Sequence, residues 1–134
     1  MTKIEKIEGI GEVYAAKLTE AGITSVEQLL ESSLTKKGRA ALAEKTGISD
    51  ALLLKWANHA DLFRIKGVAG QYSELLEAAG VDTVVELANR NPENLTKKME
   101  EINAEKKLVR AVPYLKMVTK WVAQAKELPR KLEY

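Results

Sequence analysis

Two glycines one residue apart, Gly9 and Gly11 in "IEGIGEVYAAKLTEAGI" (residues 7–23), are the first candidates for chemistry. A Gly-x-Gly step ahead of a helix lets the backbone approach an anion closely, because no Cβ stands in the way. The first N–H groups of the helix then face that anion along the helix dipole. The same step also serves as a plain tight corner between packed helices. Other reactive types are sparse. His59 is the only histidine, and Asp61 follows it at i+2, a spacing that does not share a helix face. It reads as a polar residue on a helix face. Cysteine is absent, which excludes disulfides and thiolate metal sites. Carboxylates are interleaved with lysines and lack a paired or metal-ligating spacing. There is no P-loop and no strand ahead of the glycines, so a nucleotide cofactor is not expected. These residues predict a chain without catalysis, cofactor, metal centre or small-molecule substrate.

The elements around the glycines are set by an internal repeat. "IEGIGEVYAAKLTEAGITSVEQLL" from Ile7 aligns without gaps on "IKGVAGQYSELLEAAGVDTVVELA" from Ile65, an offset of 58. That offset pairs Gly9 with Gly67, Tyr14 with Tyr72, Leu18 with Leu76 and Gly22 with Gly80. Apolar positions and glycines coincide while surface positions differ, as for two copies of one supersecondary unit. Trp56 in "KWANHADL" pairs with Trp121 in "KWVAQAKEL" at an offset of 65, which puts a net insertion of seven residues in the second copy, near Lys106 to Pro113.

Each copy reads as all-helical. Tyr14, Leu18 and Ala21 fall on one helix face, and Gly22 is placed where a helix cap needs positive φ, with Ile23 as the apolar contact that closes it. Thr24 and Ser25 offer N-caps with Glu27 and Gln28 three residues on, and Thr83 with Glu86 repeats the signal. A helix around Lys37 to Lys45 stops at Gly47, and another starts at Ser49-Asp50 and runs through Trp56. In the second copy Asn91-Pro92 opens a helix with Leu95, Met99 and Ile102 as its buried stripe. Pro113 opens the last helix, with Leu115, Val118, Val122 and Ala125 facing inward. The predicted fold is all-α, with two units (1–62 and 63–134) packed about a pseudo-two-fold axis as one compact domain, since either alone is short for a core of its own. Trp56 and Trp121 read as matching core anchors in preference to a stacking platform for bases.

Composition suits a globular protein: 134 residues, 46% apolar and 30% charged. No apolar run is long enough for a bilayer and the first residues lack a signal-peptide core, so a cytoplasmic protein without a membrane partner is expected. Net charge is only +2. Its distribution is uneven: residues 104–134 carry eight Lys/Arg against three Glu, and residues 1–103 carry thirteen against sixteen acids. That basic end is either a surface for phosphates or an acidic partner, or a solvated helix face.

The pattern of Ile7, Gly9, Ile10, Gly11, Ala15, Leu18, Ala21, Gly22 and Ile23 resembles the helix-hairpin-helix family, and Ile65, Gly67, Val68, Tyr72, Leu76, Ala79, Gly80 and Val81 repeat it. As a whole the chain looks closest to a bacterial domain-of-unknown-function family with two such units in tandem, on the stretches "DLFRIKGV" and "NPENL". The resemblance implies sequence-independent binding to the DNA backbone. Carried over by position, the phosphate donors are the backbone N–H groups of Gly9, Gly11, Val13 and Tyr14, and of Gly67, Ala69, Gln71 and Tyr72. Lys17 lies one turn into the helix, where the family often keeps a basic residue, and Lys66 is basic at the second hairpin. Hairpin carbonyls of the family can also hold a monovalent cation. Some relatives use a hairpin lysine for lyase chemistry, yet nothing in the sequence marks Lys17 or Lys66 as an activated nucleophile.

The two copies depart from the pattern differently. Glu8 and Glu12 flank the first hairpin and repel a phosphate by roughly 1 kcal/mol per close pair. In the second copy Ala69 replaces the second glycine, while Lys66 and Gly70 stand where the first has Glu8 and Glu12. Supporting basic residues are Lys36, Lys37 and Arg39, Lys97 and Lys98, and Lys106, Lys107 and Arg110. Two functions are expected from this balance: a non-catalytic module binding double-stranded DNA weakly and salt-sensitively, or a protein-interaction module in which the hairpins are only corners.

Overall fold

The computed structural model describes residues 2–133. Its described residues form eight α-helices and no strand: α1 (Glu12–Glu20), α2 (Val26–Ser32), α3 (Lys36–Thr46), α4 (Asp50–Leu62), α5 (Gly70–Ala78), α6 (Val84–Ala88), α7 (Pro92–Lys106) and α8 (Leu115–Glu127). A single 3-10 turn, Ile4–Lys6, precedes α1. The all-α class read from periodicity is therefore the observed one. The chain divides into two compact units: one runs from the N-terminus to Asp61 and takes in the tail from Lys131, and the other is Leu62–Arg130.

In the first unit the core is built from Ile4, Ile7, Leu18, Leu29, Leu53 and Trp56, none more than 1% exposed. Helix α1 ends as its sequence requires. Gly22 has φ +87°, the Ile23 N–H bonds the Leu18 carbonyl at 2.8 Å, and the Gly22 N–H bonds that of Thr19 at 2.9 Å. This pair satisfies carbonyls that the helix leaves open. Of the two N-cap candidates for α2, Ser25 takes the role. Its Oγ accepts from the Gln28 N–H at 3.1 Å while Gln28 Oε1 accepts from the Ser25 N–H at 3.2 Å. Gly47, at φ +75°, stops α3.

The second unit repeats these devices. Gly80 has φ +94°, and the Val81 and Gly80 N–H groups bond the Leu76 and Glu77 carbonyls at 2.8 and 3.0 Å. Thr83 caps α6, and Asn91 caps α7 with Pro92 at its first position. Its core gathers Leu75, Leu76, Leu87, Leu95, Met99 and Val118, all fully buried. Helices α6 and α7 pack on α8, and α5 packs on α7.

Three local expectations are corrected. Helix α8 starts at Leu115 with Tyr114 as an extended N-cap (φ −91°, ψ 166°), so Pro113 lies ahead of the helix. Leu115 is 44% exposed, and the inward face is Val118, Trp121, Val122 and Ala125. Ile102 is only partly buried beside Leu95 and Met99. His59 lies on a helix, α4, as its sequence reads, and there Asn58, His59 and Asp61 are all buried and each has an interaction partner.

The insertion in the second unit also becomes concrete. Helix α7 has 15 residues where α3 has 11, and residues 107–114 join α7 to α8 where only 47–49 join α3 to α4. Lys107 begins that longer loop in the left-handed region (φ 51°). Asn103 then holds it by accepting from the Val109 N–H at 2.9 Å and donating to the Val109 carbonyl at 3.0 Å.

Candidate nucleic-acid interface

Each glycine corner is built from the same four parts. An apolar residue (Ile7, Ile65) is buried, a glycine follows two residues on in a positive-φ conformation, a second apolar residue (Ile10, Val68) is buried, and a helix begins. Gly9 has φ +95° and Gly67 φ +93°, where an L side chain is strained. Space is tight as well at the second glycine, though not at the first. A Cβ on Gly9 would lie 3.5 Å from the Trp56 indole nitrogen, and one on Gly67 would lie 3.3 Å from that of Trp121. The first glycine of each copy is therefore required by the fold itself: the indole of the paired helix, α4 or α8, lies against its bare Cα.

A tyrosine completes the arrangement. The Tyr14 and Trp56 rings meet edge-on with centroids 5.0 Å apart, and Tyr72 and Trp121 meet at 5.4 Å. Such pairs contribute about 0.5–1.5 kcal/mol beyond their burial. Both tryptophans are thus core anchors, exposed by only 1% and 3%. The repeated Tyr and Trp were legible as a pair in sequence; that the Trp sits beneath the glycine was not, because some 47 to 54 residues separate them.

The second glycine is a different matter. Gly11 is the N-cap of α1 at φ −88° with nothing near its missing Cβ, so neither conformation nor space demands glycine there. Its counterpart Ala69 caps α5 with the same extended backbone (φ −138°, ψ −167°), so the replacement leaves the corner's shape intact.

At both corners the helix starts without a side-chain cap, whereas Ser25, Thr35, Thr83 and Asn91 cap theirs. The Ile10 and Val68 N–H groups are used inside the turns, bonding the Ile7 and Ile65 carbonyls at 3.2 and 3.1 Å. The eight N–H groups carried over from the hairpin pattern, those of Gly9, Gly11, Val13, Tyr14, Gly67, Ala69, Gln71 and Tyr72, have no acceptor among the described residues. Gly9, Gly11, Val13, Gly67, Ala69 and Gln71 are exposed.

Charge around the corners is unequal. Glu8 and Glu12 are exposed at the first, with Val13 69% exposed beside them. Lys17 Nζ stands 5.9 Å from the Tyr14 ring centroid, next to that corner. At the second, Lys66 is exposed and its backbone N–H donates to Gln124 Oε1 at 2.8 Å. There a groove of about 520 Å³ is lined by Lys66, Lys120, Trp121, Ala123, Gln124 and Glu127.

A model of a family described as a domain of unknown function, DUF4332, matches residues 8–128. The chain belongs to that family. No curated protein and no solved structure matches this DUF4332 chain.

The supporting basic residues separate into two groups. Lys36, Lys37, Lys97, Lys98, Lys106, Lys107 and Arg110 are exposed. Arg39 is engaged inside the fold instead: it is 5% exposed and donates Nη1 to the Ser33 carbonyl at 2.9 Å. Between Glu105 and Glu127 the DUF4332 chain has six Lys/Arg and no acid, and none of those six is ion-paired among the described residues. Among the described residues no group of three or more His, Asp or Glu is placed to hold a metal ion, and no helix is long and apolar enough to cross a membrane.

Proposed function

We propose that this protein is a small non-catalytic module that holds the phosphate backbone of double-stranded DNA at its two glycine corners, in the manner of a tandem helix-hairpin-helix protein. One observation carries the reading: two uncapped helix starts recur at equivalent positions of the repeat, each with four backbone donors that have no internal acceptor. Backbone N–H groups at a helix start favour an anion and carry no base code, so the binding is indifferent to sequence. Lys17 and Lys66 supply charge at the edges of the two corners, and Lys36, Lys37, Lys97 and Lys98 add weaker contacts at a distance. The helix-hairpin-helix resemblance also allows a monovalent cation at the hairpin carbonyls without requiring one.

A second reading, docking to a protein, is favoured by the first corner alone. There Val13 is 69% exposed and flanked by Glu8 and Glu12, a combination that suits an apolar or basic protein surface better than a polyanion.

The two are separated by anisotropy titration of a short duplex at low and physiological salt. Each phosphate neutralised contributes about −0.9 to the slope of log K against log salt. Lys66→Glu should weaken duplex binding strongly, and Lys17→Glu less, because Glu8 and Glu12 already burden its corner. A slope near zero, or indifference to both substitutions, refutes the DNA reading and leaves the docking one.

A further inference from the structure

The indole N–H of Trp121 has no role in the fold described so far. Trp121 is 3% exposed, and its Nε1 lies against Gly67, 3.3 Å from where a Cβ would be. No hydrogen bond to it exists among the described residues. A buried indole N–H normally finds a partner. Ser33 Oγ is the sole fully occluded side-chain polar atom without one among the described residues, so the indole nitrogen keeps a narrow opening to the outside. Trp121 also forms part of the wall of the groove that Lys66 and Lys120 line.

We infer that this groove, lined by Lys66 and Lys120, is a phosphate-binding site in which the Trp121 indole N–H is a ligand donor, together with the Gly67 and Ala69 backbone N–H groups of the adjoining corner. The inference rests on the backbone-phosphate reading of the second corner and adds to it a side-chain donor, two specific lysines and a choice between the corners. Its logic is one of convergence. The Lys66 backbone N–H is already satisfied by Gln124 Oε1, which ties the start of the corner to α8 and brings Lys120 and Trp121 alongside it. An oxyanion there meets donors from both sides of the groove. Glu127, on the same wall, is the one carboxylate that opposes it.

The first corner is the internal comparison. Trp56 has the same relation to Gly9, at 3.5 Å, and its indole N–H also has no partner among the described residues. Yet Glu8 stands in place of Lys66, and Glu12 in place of Gly70. A like charge within about 4 Å weakens anion binding about fivefold in water. The second corner should therefore fill first, by about tenfold or more in ligand concentration.

Proton–nitrogen correlation spectra of the full-length labelled protein give a direct test, because the chain has only two tryptophans and hence two indole signals. The Trp121 signal is identified by its proximity to Gly67. Inorganic phosphate is titrated in one series and a 12-base-pair duplex, a length chosen to span about one turn, in another. The expected result is a Trp121 indole shift that moves together with the Gly67 and Ala69 amides, in both series, with Trp56 following at higher concentration. Lys66→Gln and Lys120→Gln, both at exposed side chains, should each raise the midpoint about fivefold at low salt. If the amides move and the Trp121 indole does not, the indole assignment is overturned while the backbone-phosphate reading stands. If neither moves with either probe, both fall. A response to inorganic phosphate but not to the duplex supports the groove as a free-phosphate site and removes the DNA reading.

Discussion

Replacing single glycines at the corners separates what the fold needs from what a ligand would use. Gly9→Ala places a methyl group on a backbone at φ +95° with the Trp56 nitrogen at 3.5 Å, which is ordinary contact. Only conformational strain acts, about 1–2 kcal/mol for a left-handed L-residue, and reduced freedom of the unfolded chain returns about 0.4–1 kcal/mol. The net loss is about 1 kcal/mol. Gly67→Ala carries the same strain at φ +93°, but its methyl would lie 3.3 Å from the Trp121 nitrogen, so the indole must also shift by a few tenths of an ångström. Its loss should be the larger, about 2 kcal/mol on the same scale. Gly11→Ala meets neither obstacle, at φ −88° with open space around it. It should be within about 0.5 kcal/mol of neutral, because Ala is the poorer N-cap but the less free unfolded chain returns about 0.4–1 kcal/mol. Urea unfolding followed by far-ultraviolet circular dichroism gives all three differences at constant m-value. Duplex affinity measured on the same proteins then isolates any contribution of the Gly11 position to binding. A Gly11→Ala protein destabilised as much as Gly9→Ala would refute the assignment of distinct roles to the two glycines.

Two further outcomes test the supports around the corners. Asn103→Ala removes both bonds to the Val109 backbone, which should destabilise the second unit by about 1–3 kcal/mol and abolish amide-exchange protection at Val109; undiminished protection there would contradict the role given to Asn103. At Glu27, burial pushes the carboxyl up, but bonds from its own backbone N–H and from Thr2, whose N–H reaches Oε1 at 2.9 Å, outweigh it and hold it below the ordinary carboxylate value. A carboxyl lowered in the folded state stabilises above its unfolded value and loses that contribution as pH falls through the folded one. Glu27→Gln should therefore destabilise the protein at neutral pH by under about 1 kcal/mol for so exposed a group, read as a small drop in melting temperature that vanishes in acid; a difference that persists in acid assigns the effect to shape instead of charge.

The helices and their ends were legible in the sequence because capping chemistry is local. Gly22 and Gly80, Ser25 with Gln28, Thr83 with Glu86, and Asn91-Pro92 each act within four or five residues of themselves, and each is found in the role read for it. The start of α8 was misread for a related reason. Pro113 satisfies the rule for a first helical residue, but Tyr114 stays extended and the helix opens after it. Burial was the less legible property. The sequence shows His59 as a polar residue on a helix face and no more, whereas Asn58, His59 and Asp61 are enclosed along with Trp56. A buried polar residue with a partner looks the same in sequence as an exposed one. Arg39 shows the same limit, reading as a surface cation while bonding the Ser33 carbonyl.

The repeat itself carries the argument one step further than either copy could. Lys17 and Leu75 occupy the same position, yet Lys17 is exposed and Leu75 is completely buried. The difference follows from the insertion. In the second unit residues 107–114 run beside α5, where Tyr72 Oη donates to the Ala111 carbonyl at 3.4 Å, and Leu108, Val109 and Val112 pack into the core. With that cover present, a leucine on α5 gains by burial; without it, the first unit presents a solvated lysine. Lys17 therefore needs no ligand to account for it. Lys66 is exposed too, but it lines a groove together with Lys120 and Trp121. Between two corners built from the same parts, the second is the one that gathers lysines and lacks the flanking Glu8 and Glu12, and it is there that a phosphate is to be sought first.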